Sequence, residues 1–185
     1  MAVEKKASTA KKAPKKSVAK KVKSKIPDPS LLIEIPKGGQ VIRTFQLTPS
    51  LPIHGKAANW LLVDPDYPTT DIDRMHFSFS TSSTPLEREF ERAIVKIEIQ
   101  QNPNESGVWR FASDGVVVNP VFSQVNHDVI IEITDAGFTL LAQVQSIDSV
   151  PENIRFGYLA SFTATESGIV TVYESSDPDI KVGRP

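Results

Sequence analysis

Residues 107–122, GVWRFASDGVVVNPVF, decide the fold class because they combine β-branched and aromatic residues with a short turn signal, SDG. The same composition returns in DVIIEIT (128–134), FTLLAQVQ (138–145), IRFGYLASFTA (154–164) and GIVTVYE (168–174). Turn signals such as NPNESG, DAG and TESG separate many of these runs. Short strands at this spacing are typical of an all-β sandwich or barrel. Large aromatic side chains should supply much of its core, namely Trp109, Phe111, Phe122, Phe138, Phe156, Tyr158 and Phe162.

Period-two alternation also runs upstream of this region. LLIEIPKGGQVIRTFQL (31–47) predicts strand, turn, strand, with Gly38 and Gly39 supplying positive φ in the turn. MHFSFS (75–80) alternates apolar and polar residues as a half-buried strand does. STPLEREFERAIVKIEIQ (83–100) opens with a capping-box pattern, so we expect at most two helical turns at 85–92 feeding a strand.

The first 25 residues have a different composition. They hold ten lysines, one glutamate and no aromatic residue, a net charge of +9. The whole chain has 21 basic and 22 acidic residues, which leaves 11 and 21 for the other 160 residues, a net charge of −10. Residues 1–25 cannot bury enough apolar surface to offset the entropy of ordering, so we expect a disordered tail there. The domain should occupy 26–185, with N-terminal strands and a Pro-rich loop in 26–89 and the clearest strands in 90–185.

The second half of the chain resembles a known family. VWRFASDGVVVNPVF, GFTLLAQVQ and above all the ending SSDPDIKVGRP are similar to the DP-EP family, a set of bacterial proteins with an immunoglobulin-like β-sandwich. The family ends in an Asp-Pro pair followed shortly by a proline, and Asp177, Pro178 and Pro185 match those places. The resemblance covers about residues 90–185, with 1–89 outside it. It implies an antiparallel, immunoglobulin-like sandwich and brings no activity.

The tail suits anionic partners. Its lysines recur as doublets spaced by Ala, Ser, Pro and Val, which resembles the lysine/alanine/proline tails of linker-histone-like proteins. Lysine is a compact charge that binds phosphate without reading sequence, and aromatic residues for stacking on bases are missing. The alternatives are a solvated, solubilising tail or an address, since KKVK in a basic run would serve as a nuclear signal in a eukaryote. The candidate nucleic-acid-binding residues are Lys5, Lys6, Lys11, Lys12, Lys15, Lys16, Lys20, Lys21, Lys23 and Lys25.

The sequence gives little support to metal or catalytic chemistry. DPDYPTTDID places Asp64, Asp66, Asp71 and Asp73 in one loop, where calcium could find oxygen ligands, but Asp and Pro are also plain turn formers. We favour the turn interpretation. His54, His76 and His127 form no close ligand pair, and the chain has neither a nucleophile elbow nor a phosphate loop. Glu87, Glu89 and Glu91, alternating with arginines, are typical of a solvated face.

The cysteine content and the apolar runs of the sequence indicate where the protein is located and what kind of protein it is. The chain has no cysteine, which excludes disulfides and fits a reducing cytosol. No apolar run is long enough to span a bilayer, and no signal-peptide pattern follows the first charges. We therefore expect a cytoplasmic, non-enzymatic binding or assembly module without cofactor, whose tail tethers an acidic β-domain to a polyanion, probably nucleic acid. The alternative is a self-assembling structural protein, a homo-oligomer in which one molecule's tail neutralises another's body. SSDPDIKVGRP should end in a short edge strand or ordered arm.

Overall fold

The computed structural model describes residues 30–54, 60–118, 129–146, 152–175 and 179–184, and for 118, 152–156 and 179–181 it describes the backbone alone. Twelve strands and two short helical turns run through these residues. The strands are β1 Ser30–Glu34, β2 Gln40–Thr48, β3 Leu61–Asp64, β4 Tyr67–Asp71, β5 Arg74–Ser78, β6 Arg92–Ile99, β7 Gly107–Val118, β8 Val129–Thr134, β9 Thr139–Val144, β10 Glu152–Ala164, β11 Val170–Glu174 and β12 Asp179–Gly183. The helical turns are α1 Pro85–Arg88 and a 3₁₀ turn at Asp135–Gly137.

The strands form two sheets, each of six strands. In the first sheet β1, β5, β12 and β10 are hydrogen-bonded in that order, and β11 and β7 also pair with β10. In the second sheet the order is β4, β3, β2, β6, β9 and β8. The predicted β-rich class is therefore correct. No helix in the part of the chain that the structure describes is long and apolar enough to cross a membrane.

The prediction of purely antiparallel sheets is wrong, because both sheets are mixed. β5 pairs in parallel with β1 on one side and with β12 on the other, and β2 pairs in parallel with β6. The cause lies in the connections. The chain changes sheet between β1 and β2, between β4 and β5 and again between β5 and β6, so β1 pairs with β5, and β2 with β6, across long connections rather than through hairpins.

The predicted strand–turn–strand at 31–47 is correct in its elements, and the two strands belong to different sheets. Gly38 has the expected positive φ of 62°, which glycine adopts without steric cost, whereas Gly39 has none. β1 joins the first sheet and β2 the second. The turn therefore carries the chain across the core.

The SDG signal does not reverse the chain as a turn. β7 continues through it for twelve residues, and Tyr158 pairs with Val116 while Ala160 pairs with Phe111, so four residues of β7 bulge opposite one of β10. Ser113 (φ 52°) and Gly115 (φ 76°) form this bulge. Bulges bend a strand locally and often place Gly in the left-handed region.

One apolar cluster lies between the sheets and draws on both. From the first sheet come residues such as Ile33, Phe77 and Val182, and from the second residues such as Phe45 and Ile97, all at most 2% exposed. Burial of this kind, worth about 1.5–3 kcal/mol per large side chain, is the main stabilising contribution.

The aromatic core prediction is largely correct. Trp109 is fully buried, and its ring centroid lies 5.0 Å from that of Phe162 and 5.5 Å from those of Trp60 and Tyr173. Phe111, Tyr158 and Phe162 are buried as well, and Phe138 packs against the cluster while half-buried. Phe122 and the side chain of Phe156 lie outside the described residues.

Candidate functional site

Glu91 is a buried carboxylate that contacts several polar groups of the described residues. It follows a short helix, whose end directs it into the interior. Thr84 caps α1: its backbone N–H donates to Glu87 Oε2 at 2.7 Å, and the Glu87 N–H donates to Thr84 Oγ1 at 3.4 Å. This is the predicted capping box, and the helix ends after one turn. The chain then turns at Glu89 and Phe90, and Glu91 enters the core directly before β6 with no exposed surface.

Both oxygens of the Glu91 carboxylate have partners. Oε1 accepts a hydrogen bond from the Gly38 backbone N–H at 2.9 Å and a short one from the Ser83 hydroxyl. Oε2 lies 2.7 Å from Nη2 of Arg184. The glycine turn after β1, the loop before α1 and the segment after β12 therefore meet at one carboxylate.

Arg184 follows β12 and is almost as buried as its partner. Its Nε and Nη2 donate to the Ser146 carbonyl, at 3.2 Å and 2.6 Å, and Nη1 donates to the Ser80 carbonyl. Its guanidinium carbon lies 5.4 Å from the centroid of the Phe79 ring, within the range of a cation–π contact. We call Glu91, Arg184, Ser83 and the groups that they contact the buried clamp.

The electrostatics of the buried clamp favour a charged pair. Burial by itself raises the pKa of Glu91, but hydrogen bonds from Ser83, Gly38 and Arg184 and the charge of Arg184 together lower this pKa below its ordinary value. The carboxylate is therefore ionised at neutral pH, with hydrogen bonds to Oε1 and the ion pair with Arg184 at Oε2. An ionised carboxylate held in this way suits fixing chain segments in place rather than moving protons.

An open groove of about 470 Å³ lies beside the buried clamp. It shares Phe79 and Ser80 with the clamp's surroundings, and the one charged side chain on its wall is Glu34. Its wall consists of Glu34, Ile35, Pro36, Ser78, Phe79, Ser80 and Thr81. This mixture of hydroxyl and apolar groups defines no particular substrate.

The residues that the sequence singled out for binding lie elsewhere. All ten candidate lysines, from Lys5 to Lys25, and the family-motif residues Asp177, Pro178 and Pro185 are outside the described residues. So is His127, whereas His54 is exposed and His76 is half-buried on β5. The binding prediction for the lysines stays a prediction.

The four aspartates do not share one loop, because Asp64 ends β3 and Asp71 ends β4, and the turn lies between these two strands. Asp64 Oδ1 accepts from the Asp66 N–H at 2.9 Å, and Asp71 Oδ1 accepts from the Leu62 N–H at 3.3 Å. These bonds order the β3–β4 hairpin. Within residues 30–54, 60–118, 129–146, 152–175 and 179–184, no three His, Cys, Asp or Glu side chains are grouped so that they could hold a metal ion.

Sequence reasoning missed the buried clamp. Glu91 was expected on a solvated face with Glu87 and Glu89, and this is wrong because α1 ends at Arg88, so Glu91 does not continue a helical face. A usable signal was present, since Glu91 precedes the buried Ala93, Val95 and Ile97 at the same period of two.

The predicted arm at the end of the chain is correct as a strand and wrong as an edge. β12 lies between β5 and β10 and hydrogen-bonds to both. Alternation of apolar residues reports which face of a strand is buried and carries no information on whether its edges are covered.

The fold and the buried clamp together define a class of two-sheet β protein in which the last described strand, β12, lies inside a sheet and is followed by an arginine held in a buried ion pair. The chain belongs to the DP-EP family, whose model matches residues 29–184. The match begins well before residue 90, so the first strands, which were expected to lie outside the resemblance, are part of the family domain.

Two solved structures show distant similarity. The inclusion body protein PixA from Burkholderia cenocepacia is 7% identical, covers 78% of this chain and 96% of its own, and gives a TM-score of 0.34. A cysteine protease inhibitor from Entamoeba histolytica is 13% identical, covers 79% of this chain and 97% of its own, and gives a TM-score of 0.24. None of the curated proteins compared matches the sequence.

Proposed function

We propose that the protein is a non-enzymatic binding module whose lysine-rich tail tethers the acidic β-domain to a polyanion, most simply nucleic acid. The observation that carries the proposal is the charge division of the chain, with +9 on residues 1–25 and −10 on the remaining 160. An acidic domain is repelled by a phosphate backbone, whereas a run of lysines binds it by releasing condensed counterions.

The position of β1 supports this arrangement. β1 begins at Ser30 and lies at the end of the strand order in the first sheet, so the tail joins the domain at the margin of that sheet. Leu31 and Ile33 of β1 pack into the core and secure the joint. A chain of 25 extended residues spans at most roughly 80–90 Å, which lets the acidic domain stay clear of the polyanion.

We also propose that the domain has an immunoglobulin-like fold and that the protein is located in the cytoplasm. The two mixed sheets would form an immunoglobulin-like sandwich, and the absence of cysteine suits the cytoplasm. A non-catalytic role is supported by the buried clamp, whose carboxylate is occupied by hydrogen-bond donors and by Arg184.

Binding to a labelled duplex, measured as a function of salt, tests the tether. Each phosphate neutralised contributes about −0.9 to the slope of log affinity against log salt, so engaging ~5 lysines costs nearly three decades between 50 and 200 mM salt. Replacing Lys15, Lys16, Lys20 and Lys21 with Gln should flatten the slope and weaken binding to unrelated sequences equally.

A matched pair of variants separates the tail from general charge. Lys20→Gln/Lys21→Gln and Lys37→Gln/Arg43→Gln each remove two positive charges, the first pair from the tail and the second from exposed positions of the domain. The tail pair should reduce the magnitude of the slope by up to about 1.8, and the domain pair should leave it unchanged. Equal effects from both pairs, or no binding by the intact protein at ~50 mM salt, would overturn the tether.

The second candidate is self-assembly through pairing of one molecule's tail with another's acidic body. The net charge of −10 outside the tail favours it, since it nearly balances the tail. Sedimentation without nucleic acid decides between the two candidates. Assembly predicts oligomers that require residues 1–25 and dissociate in about 1 M salt, where the Debye length falls to ~3 Å.

A further inference from the structure

β12 occupies a slot between β5 and β10 in the first sheet. β12 is the last described strand, yet both of its edges are covered. All five of its residues pair in parallel with β5, from Asp179 opposite Arg74 to Gly183 opposite Ser78, and Asp179–Val182 pair antiparallel with β10. Without β12, the edges of β5 and β10 would both be open within the sheet.

The slot that holds β12 recognises the segment at several points. Val182 is 2% exposed and belongs to the core cluster, and the Gly183 carbonyl accepts from the Phe79 N–H at 3.0 Å. Beyond the strand, Arg184 reaches the Glu91 carboxylate and the carbonyl oxygens of Ser80 and Ser146. The slot is therefore a strand-binding groove that ends in a buried negative charge fitted to an arginine.

The connection before β12 is short and starts from a fixed point. β11 and β12 both run antiparallel to β10, with Glu174 opposite Leu159 and Asp179 opposite Arg155. Ser175 is pinned to Tyr158, because its N–H donates to the Tyr158 carbonyl at 2.9 Å and its hydroxyl accepts from the Tyr158 N–H at 2.7 Å. Ser175 is thus the last described residue before β12 that is hydrogen-bonded to β10.

We propose that the slot between β5 and β10 also accepts β12 of a second copy of this chain, so that two molecules exchange their arms. Every hydrogen bond of β12 and every contact of Arg184 is the same whichever molecule supplies the arm, so exchange loses no docking contact. A reciprocal exchange closes on itself with twofold symmetry.

Protein concentration and the length of the segment between β11 and β12 decide whether the arm docks on its own domain or on a second molecule. A short connection gives the arm an effective concentration of about millimolar at its own slot. At micromolar protein the arm therefore docks on its own domain. Exchange should become substantial when molecules refold together at about millimolar concentration, because neither slot is then filled in advance. It involves no lysine of the tail and goes beyond the proposed function.

Cross-linking between differently labelled chains tests the exchange directly, since the protein has no cysteine of its own. His76 of β5 and Lys181 of β12 are partners in register, at the separation of adjacent strands that a disulfide can bridge. Full-length His76→Cys and Lys181→Cys chains are unfolded, mixed, refolded and oxidised at about millimolar concentration. About 1 M salt screens pairing of tails with bodies. Intact mass then separates mixed from like-with-like dimers.

The control pair consists of Lys96→Cys and Leu141→Cys, which are partners in register between β6 and β9 of the second sheet. If β12 is exchanged, the disulfide-linked dimer of one His76→Cys chain with one Lys181→Cys chain should be severalfold more abundant than the mixed dimer of the control pair. Exchange also predicts that the yield falls when refolding takes place at micromolar concentration. Mixed dimer at the level of the control pair would overturn the proposal.

A second measurement covers the case in which a cysteine disturbs folding. The double variant His76→Cys/Lys181→Cys in one chain should form its internal disulfide at micromolar concentration, which shows that both positions are compatible with a docked arm. The unmodified full-length protein, refolded at about millimolar concentration in 1 M salt, should give a dimer on size exclusion. A monomer at every concentration would refute exchange without any substitution.

Discussion

Replacing Arg184 with methionine removes the positive partner of Glu91 and keeps most of the side-chain volume. The two side chains are 3% and 0% exposed, so the substitution leaves a buried carboxylate with hydrogen bonds from Ser83 and Gly38 and no cation. The carbonyl groups of Ser80 and Ser146 lose their guanidinium donors at the same time.

The expected cost is large compared with the stability of a domain. Breaking a buried pair by removing one partner costs about 3–5 kcal/mol, against a total of roughly 5–15 kcal/mol for a typical domain. For a domain of this size, about 2–4 °C per kcal/mol converts the loss to a fall in Tm of roughly 6–20 °C. Urea unfolding of the two proteins measures the difference. Arg43→Met, the same change at an exposed position, should stay within about 0.5 kcal/mol of the parent.

The double variant Glu91→Gln/Arg184→Met isolates the charge. If the uncompensated carboxylate is the main damage in Arg184→Met, neutralising Glu91 should restore part of the stability, with a coupling energy of about 0.5–3 kcal/mol. A loss below about 1 kcal/mol in Arg184→Met, or losses that simply add in the double variant, would refute the role given to the ion pair.

The pH dependence gives an independent check on the same pair. Because the pKa of Glu91 lies below its ordinary value of 4.5, the folded protein binds fewer protons there than the unfolded chain. The stabilisation is therefore complete above about pH 4.5 and is lost as the pH falls through the folded-state pKa. The gap in stability between the parent and Arg184→Met should narrow over that range. A gap that stays constant into strong acid would assign the loss to packing.

Three further outcomes follow from other parts of the chain. Deleting residues 1–25 should leave the Tm within about 2 °C, because the tail lacks core-forming residues, and a fall of many degrees in calorimetry would show that it packs. Gly115→Ala should cost about 1–3 kcal/mol in urea unfolding, since a Cβ there would overlap Leu140 Cδ1, whereas Gly168→Ala, also at positive φ but with nothing within 4 Å, should cost less. The Val182 amide should be protected in hydrogen exchange, because β12 is internal, and exchange at the random-coil rate would contradict this position.

Local sequence predicted the elements well where local physics determines them. Alternation of apolar residues indicates which face of a strand is buried and was enough to predict β5 and β6. Composition rich in β-branched and aromatic residues predicted β9 and the burial of Trp109 and Tyr158. The capping box at Thr84 is equally local, because its partners are three residues apart.

The local sequence did not predict which strands pair with each other. Which strand β2 meets depends on where the chain crosses the core, and its parallel partner β6 begins more than forty positions after the glycine turn. The buried clamp joins Glu91 to Arg184, which are far apart in sequence. The alternation of β6 could have indicated that Glu91 faces the interior, but no local pattern names Arg184 as its partner. Charges in the interior are recognised by their partners, and partners of this kind are set by the completed fold.

Synthesis on the ribosome presents the strands in sequence order, so β1 and β5 emerge long before the strand that links them to the rest of their sheet. Only β12 connects the β1–β5 pair to β10 in the described pairing. Until residues 179–184 have emerged, the nascent chain can complete the second sheet but not the first, and the Glu91 carboxylate lacks its cation. Completion of the first sheet therefore waits for one short segment, and a chain that stops before it presents open edges on β5 and β10 to the machinery that removes incomplete proteins.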